Sequence, residues 1–157
     1  LHFIIGCSYY ACSGEVEQEK NNNSAIEWLS QSVKLNKNNV LAKTCIADCY
    51  YVGDKHVKQD YKEAVKWYTE AYNQSKESRA TQRIGWCYLC GLGVDKNIEK
   101  GLQLIQESAD QKYPHAQYNL GTFYENREYG LTQDLNKALH WYNLARVWSD
   151  SNEAKQQ

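Results

Sequence analysis

The sequence predicts an all-α fold, a solenoid of about four helical hairpins stacked side by side. Three observations predict it. Apolar residues recur at i, i+3, i+4 and i+7 along much of the chain, the mark of helices that each bury one stripe. A small residue recurs in the first helix of each hairpin, at Gly6, Ala47, Gly85 and Gly121, with separations of 41, 38 and 36. A second set recurs in the second helices, at Ala25, Ala64, Gly101 and Ala138, with separations of 39, 37 and 37. Helix periodicity fixes spacing within a helix and not between helices, so two independent sets with nearly one period indicate repeated units.

Other positions keep step with these anchors. One residue before the first set stand Ile5, Ile46, Ile84 and Leu120, and three after it stand Tyr9, Tyr50, Tyr88 and Tyr124. Three after the second set stand Trp28, Trp67, Leu104 and Trp141. The small anchors let the two helices of a hairpin approach closely, and the aromatic residues fill the space beside them. The units run approximately 1–40, 41–78, 79–114 and 115–152, within a single repeat domain. Each has a first helix (A) and a second helix (B).

Taken in order, helix 1A covers residues 3–11, and Ser24 caps helix 1B after a polar insertion. Helix 1B runs to residue 35, and the Asn-rich stretch 36–39 is a turn. Helix 2A covers 41–51, Gly53 and Asp54 break it, and Asp60 caps helix 2B, which ends near Tyr72. Helix 3A covers 80–90 and leaves through a glycine-marked loop at Gly91 and Gly93. Helix 3B covers 98–110. Pro114 precedes helix 4A, where a missing backbone N–H costs nothing. Helix 4B ends near Trp148. Leu1 and Ala154 fall at repeat positions, and the chain contains no Met, so it reads as a fragment of a longer array.

The totals exclude several classes. A net charge of -1 gives no reason to expect a nucleic-acid partner. No stretch reaches the 18 or more apolar residues of a membrane span, so no direct membrane insertion is expected. One Pro in 157 residues suits long helices. The four His are scattered, and no zincin, nucleophile-elbow, phosphate-loop or dinucleotide fingerprint is present. The chain therefore reads as non-catalytic, with no cofactor. The Cys pairs at Cys45 and Cys49, and at Cys87 and Cys90, are helical neighbours whose geometry rarely suits a disulfide. The six Cys, with Cys7 and Cys12, read as buried or partly buried thiols of a reducing compartment. Cytoplasm is the expected location. The endoplasmic-reticulum lumen is the alternative; sequons stand at Asn22 and Asn73, but two among this many Asn are close to what chance gives and do not establish it. A metal or thiol site at Cys87 and Cys90 is a distant further possibility.

The run Ala80, Ile84, Gly85, Tyr88, Gly91, Gly93 and Val94, then Lys100, resembles the Sel-1-like repeat family. The stretch Ala116 to Ala145, with Leu120, Gly121, Tyr124, Gly130, Asp134, Lys137, Ala138, Trp141 and Tyr142, resembles it most closely. The segment from Asp60 through Ala64, Trp67 and Tyr68 is similar to its second half. Unit 1 departs from Gly14 onward. The tetratricopeptide fold is the alternative, but the longer period and the glycine loop between helices A and B favour the first family. The resemblance implies a right-handed α/α superhelical solenoid of about four Sel-1-like hairpins. It also implies a scaffold or adaptor that binds another protein, or an extended peptide, on a concave A-helix face. The alternative is an intramolecular segment that positions a neighbouring catalytic or membrane domain, as in ubiquitin-ligase adaptors or chitin-synthase regulators. A cysteine-rich secreted branch of the family places Cys at the end of helix B and the start of helix A. Here all six fall in the A helices.

The candidate partner-binding face follows from helix geometry. At 100° per residue, the direction opposite the buried stripe lies one residue past each anchor. It holds Asp48, Trp86 and Thr122, flanked by Cys45, Arg83 and Asn119 and by Thr44, Gln82 and Tyr118. These vary between units while the stripe repeats. Trp86 and Arg83 are the leading anchors for a partner, the alternative for Trp86 being lateral packing on the neighbouring A helix. Asp48 reads as a solvated charge, and Asn119 as a groove hydrogen-bonder or a plain surface residue.

Overall fold

The computed structural model describes residues 22–153, with side-chain surroundings given for residues 22–146. The expected helix 1A, with Gly6, Cys7 and Tyr9, and Cys12 after it, lie outside the described residues. Among those described there are seven α-helices, a single 3-10 turn and no strand. They are α1 (Asn22–Leu35), α2 (Val40–Val52), α3 (Tyr61–Ser75), α4 (Ser78–Cys90), α5 (Ile98–Asp110), α6 (Pro114–Asn126) and α7 (Leu135–Glu153), with the 3-10 turn at Glu128–Gly130. Thus α1, α3, α5 and α7 are B helices, and α2, α4 and α6 are A helices. Each packs on the helix before and after it in the chain, the arrangement of an α/α solenoid.

The three described A-to-B connections repeat one design. Six residues past each A anchor the chain takes a positive φ, at Gly53, Gly91 and Arg127, whose N–H groups return to the carbonyls of Cys49, Cys87 and Phe123. The connection then ends on a capping side chain, Asp60, Asn97 or Asp134, which accepts a hydrogen bond from the backbone N–H three residues on. The backbone N–H of each cap donates to the carbonyl of the repeated Tyr, at Tyr50, Tyr88 or Tyr124, over 2.9, 2.9 and 3.1 Å. These loops close their own ends, which is why the period survives in the sequence.

The small anchors do what their size predicts. A Cβ added to Gly101 would lie 2.7 Å from the Leu89 side chain and 2.9 Å from the Gly85 carbonyl oxygen. One added to Gly121 would lie 2.5 Å from the Tyr142 ring. Ala47 and Ala64 are fully buried at the equivalent contact. The core continues from hairpin to hairpin. Ala47, Ala64 and Tyr68 of the second share one apolar cluster with Ala80, Ile84 and Leu104 of the third. Leu89 and Ile105 of the third join Ala116, Leu120 and Phe123 of the fourth. Gly93 adds a tie between units. Its φ of +71° suits a residue without Cβ, and an added Cβ would stand 2.5 Å from the Tyr61 backbone at the start of α3.

Several expectations are corrected. Helix α1 begins at Asn22, so Ser24 lies inside it and is not its cap. The backbone N–H of Asn22 donates instead to Asp54 Oδ2 at 2.8 Å. Helices α3 and α7 run past their expected ends, to Ser75 and Glu153. The repeated Tyr50, Tyr88 and Tyr124 are only partly buried. They stand at the loop end of each hairpin, and lysines lie over two of the rings, Lys100 at 4.2 Å from the Tyr88 centroid and Lys137 at 5.1 Å from that of Tyr124.

Candidate interaction groove

The groove is built where α4 meets α6. Helix α4 supplies Arg79, Gln82, Arg83 and Trp86, and the start of α6 supplies Tyr113, Pro114, His115 and Asn119. Together they enclose a cleft of about 610 Å³. Proline at the first position of α6 sets the chain into a helix without needing its own N–H. Tyr113, the residue before it, provides no side-chain cap, so the positive end of the α6 dipole opens beside the cleft. The Trp86 ring stacks on Phe123 of α6, with centroids 6.2 Å apart and planes 18° apart, and forms one wall. Tyr113 and His115 stack at 5.3 Å on the other side.

The arginines are held from below. Asp48 on α2 is fully buried. It accepts a hydrogen bond from the Tyr68 hydroxyl of α3 and pairs with the guanidinium of Arg79. Arg83 Nε lies 3.6 Å from Asp48 Oδ1, and the Arg83 guanidinium stands 5.1 Å from the Tyr51 ring. About a third of each arginine side chain stays open to solvent, at 32% and 33%. Burial pushes the Asp48 carboxyl above the usual carboxylate range, against the pull of Arg79, the Tyr68 hydroxyl and Arg83. Desolvation, then the positive charges of Arg83 and Arg79, pushes the His115 imidazole below its ordinary value. Glu77, the N-cap of α4, accepts hydrogen bonds from the N–H groups of Arg79 and Ala80 and from the Thr44 hydroxyl.

Of the residues the sequence suggested, Gln82, Arg83, Trp86 and Asn119 come together here. Thr44, Cys45 and Asp48 do not. All three are buried, Thr44 against Glu77, Cys45 among Ala25, Leu29 and Ile46, and Asp48 under the arginines. The reading of Asp48 as a solvated charge is therefore corrected. An A helix in a stacked array touches the next A helix as well as its own B helix, and the position one past the anchor points at that neighbour. Trp86, at the same position, likewise packs laterally while still lining the cleft. Tyr118 is 57% exposed. With Asn119 it lines a second cavity of about 700 Å³, shared with Pro114, His115, Tyr142 and Arg146. Thr122 lines neither, and its hydroxyl donates to the Asn119 carbonyl. Sequence reasoning missed Arg79, Tyr113 and His115. The signal available was charge, since Arg79 and Arg83 stand four apart and so share one helix face.

Among the described residues no group of three or more His, Cys, Asp or Glu could hold a metal ion, and no helix is long and apolar enough to cross a membrane. The Cys87 thiol is buried, which pushes it up to about 12.

Comparison with known proteins gives the same architecture. The chain is 30% identical over 125 residues to the chitin synthase regulator SKT5 of Saccharomyces cerevisiae, covering 77% of this chain and 17% of that protein. It is 30% identical over 89 residues to HRD3B of Arabidopsis thaliana, a component of an ERAD-associated E3 ubiquitin-protein ligase, covering 56% of this chain and 13% of that protein. The chain thus spans less than a fifth of the length of either relative. Among solved structures it superposes on a Sel1 repeat protein from Oxalobacter formigenes with a TM-score of 0.76 and 25% identity, covering 93% of this chain and 57% of that one. The Sel1 repeat model matches residues 3–37, 41–76, 78–113 and 114–146, and with four matches across nearly its whole length the chain belongs to the Sel1 repeat family.

Proposed function

We propose that this chain is a non-catalytic scaffold or adaptor that holds a partner protein, or an extended peptide of one, on its A-helix side. The observation that carries this reading is the cleft between α4 and α6, where Arg83, Trp86 and Asn119 stand together with Arg79 and His115. Aromatic and arginine side chains in one concave site are the residue types that most often anchor a protein partner. The names of the relatives, a regulator and a ligase component, agree with a role in assembly. A cytoplasmic location is our reading too, resting on the Cys usage.

A second reading is intramolecular, with the array positioning a neighbouring domain of a larger protein. It is favoured by the small share of each relative that the chain covers.

The test is affinity capture from source-cell extract, wild type beside Asn119→Arg, with melting curves for both. Asn119 lines the cleft without taking part in the Asp48 pairs or the Trp86 stack, so the variant fills the groove and leaves the packing alone. A protein retained by wild type and lost by a fully folded Asn119→Arg supports the adaptor reading. Retention indifferent to the variant moves the site off this groove, and the absence of any specific retention favours the intramolecular role.

A further inference from the structure

We propose that the α4–α6 cleft takes an acidic extended segment of a partner protein, with a carboxylate seated against Arg83 and Arg79 and an apolar neighbour against Trp86. This rests on the reading of the cleft as a partner site and adds the chemistry of what it accepts.

Charge complementarity carries the argument. The residues that line the cleft include two arginines and one histidine and no carboxylate. The acidic groups nearby are already committed. Asp48 lies beneath the arginines, fully buried, and one carboxylate faces two guanidinium groups. Glu77 is engaged by two backbone N–H groups and the Thr44 hydroxyl. The two guanidinium groups therefore share one buried carboxylate, and about a third of each side chain stays open to solvent. Among the described residues Arg83 Nε is buried with no hydrogen-bond partner, and Asp48 Oδ1 lies 3.6 Å away. The positive end of the α6 dipole adds to the same field. Arginine binds a carboxylate through two parallel N–H donors, so the open part of each side chain suits this ligand better than it suits a neutral amide. The Trp86 and Tyr113 rings supply apolar walls, so the fitting occupant is an acidic residue next to an apolar one. A basic segment would meet like charge in a partly desolvated site.

The experiment is selection of a displayed random peptide library on the 157-residue chain, followed by fluorescence anisotropy with the selected sequences. The expected result is enrichment of Asp and Glu beside apolar residues, and binding about tenfold or more weaker to Arg83→Gln. The same peptides should weaken as salt rises from about 50 to about 500 mM. Asn119→Glu, which adds a negative charge without touching the Asp48 pairs, should weaken them as well, so the test stands even if Arg83→Gln loses its fold. Each selected sequence is made with an amidated and with a free C-terminus. Equal binding assigns the carboxylate to a side chain, and binding of the free acid alone assigns it to a chain end. Peptides without acidic enrichment that are still lost with Asn119→Arg would overturn the acidic proposal and leave the groove standing. Peptides indifferent to every groove variant, or no enrichment at all, would overturn both.

Discussion

The guanidinium of Arg79 reaches from α4 across the junction between two hairpins to the buried carboxylate of Asp48 on α2. The same carboxylate is held from the other side by the Tyr68 hydroxyl on α3. Three helices of two successive units therefore meet at one charged group in the core. Removing one partner of a fully buried pair costs about 3–5 kcal/mol. Solvent reaches the arginines here, so Asp48→Ala is expected to cost about 1–3 kcal/mol. Tyr68→Phe, which leaves a carboxylate oxygen short of a donor, should cost about 1–2 kcal/mol. Urea unfolding of both variants and the double mutant checks this. The costs should fall short of additive, because the two groups share one interaction.

Gly101→Ala should destabilise the chain although alanine is the better helix former by about 1 kcal/mol. The new Cβ meets the Gly85 carbonyl oxygen at 2.9 Å, and a backbone atom inside a helix has little room to yield. Overpacking of this kind costs about 1–3 kcal/mol. A thermal melt that rises with Gly101→Ala would show that the helix pair is looser than described.

Two loop glycines should separate cleanly. Gly93 and Gly130 both have positive φ, at +71° and +80°. A Cβ on Gly93 strikes the Tyr61 backbone at 2.5 Å, whereas one on Gly130 meets nothing within 4 Å. Gly130→Ala should therefore cost only the backbone strain, about 1 kcal/mol. Gly93→Ala should cost clearly more, and hydrogen exchange should show faster opening at the start of α3.

Asp54 governs an acid limb. Burial opposes its ionisation, but the backbone N–H groups of Asn22, Val57 and His56 outweigh it and hold the carboxyl below the usual range. A lowered folded-state value means that the stabilisation is present above the unfolded carboxylate range. It is lost as pH falls through the folded value. Asp54→Asn should flatten the fall in melting temperature below about pH 4 and leave little difference in shape above it. An unchanged acid limb would mean that Asp54 adds nothing.

Cys87 and Cys90 should differ in reactivity. Cys90 is exposed, and Cys87 is buried with its thiol pushed up to about 12. Iodoacetamide at mildly alkaline pH should label Cys90 in the native chain and reach Cys87 only on unfolding. Peptide mass spectrometry reads the two sites separately.

The hairpins were legible because their determinants are local. The anchors, the capping residues and the glycine turns each act within a few residues, and helix α5 lies where the pattern puts it, at Ile98–Asp110. The groove was half legible. Gln82, Arg83, Trp86 and Asn119 were found by asking which positions vary while packing repeats. Asp48 was misread because a charge on a helix says nothing of a partner on a helix 31 residues later. Its burial depends on Arg79, which the spacing within one repeat does not show. Ser24 was misread for a similar reason, since it lies inside α1, where the Asn22 N–H is taken up by Asp54 from the following unit.

The junctions between A helices are not interchangeable. Between the second and third units the contact is ionic, Asp48 with Arg79 and Arg83; between the third and fourth it is aromatic, Trp86 on Phe123. Counting from the anchors, the fourth unit carries His115 and Asn119 where the third carries Arg79 and Arg83. The third likewise carries Cys87 where the fourth carries Phe123. Were α2 to dock on α6, Asp48 would be shut in without its guanidinium partners, and Trp86 would lose its ring. Similar hairpins in one chain invite mispairing during folding. Here both described junctions are keyed to their own successors, so the order of stacking is written into the contacts themselves.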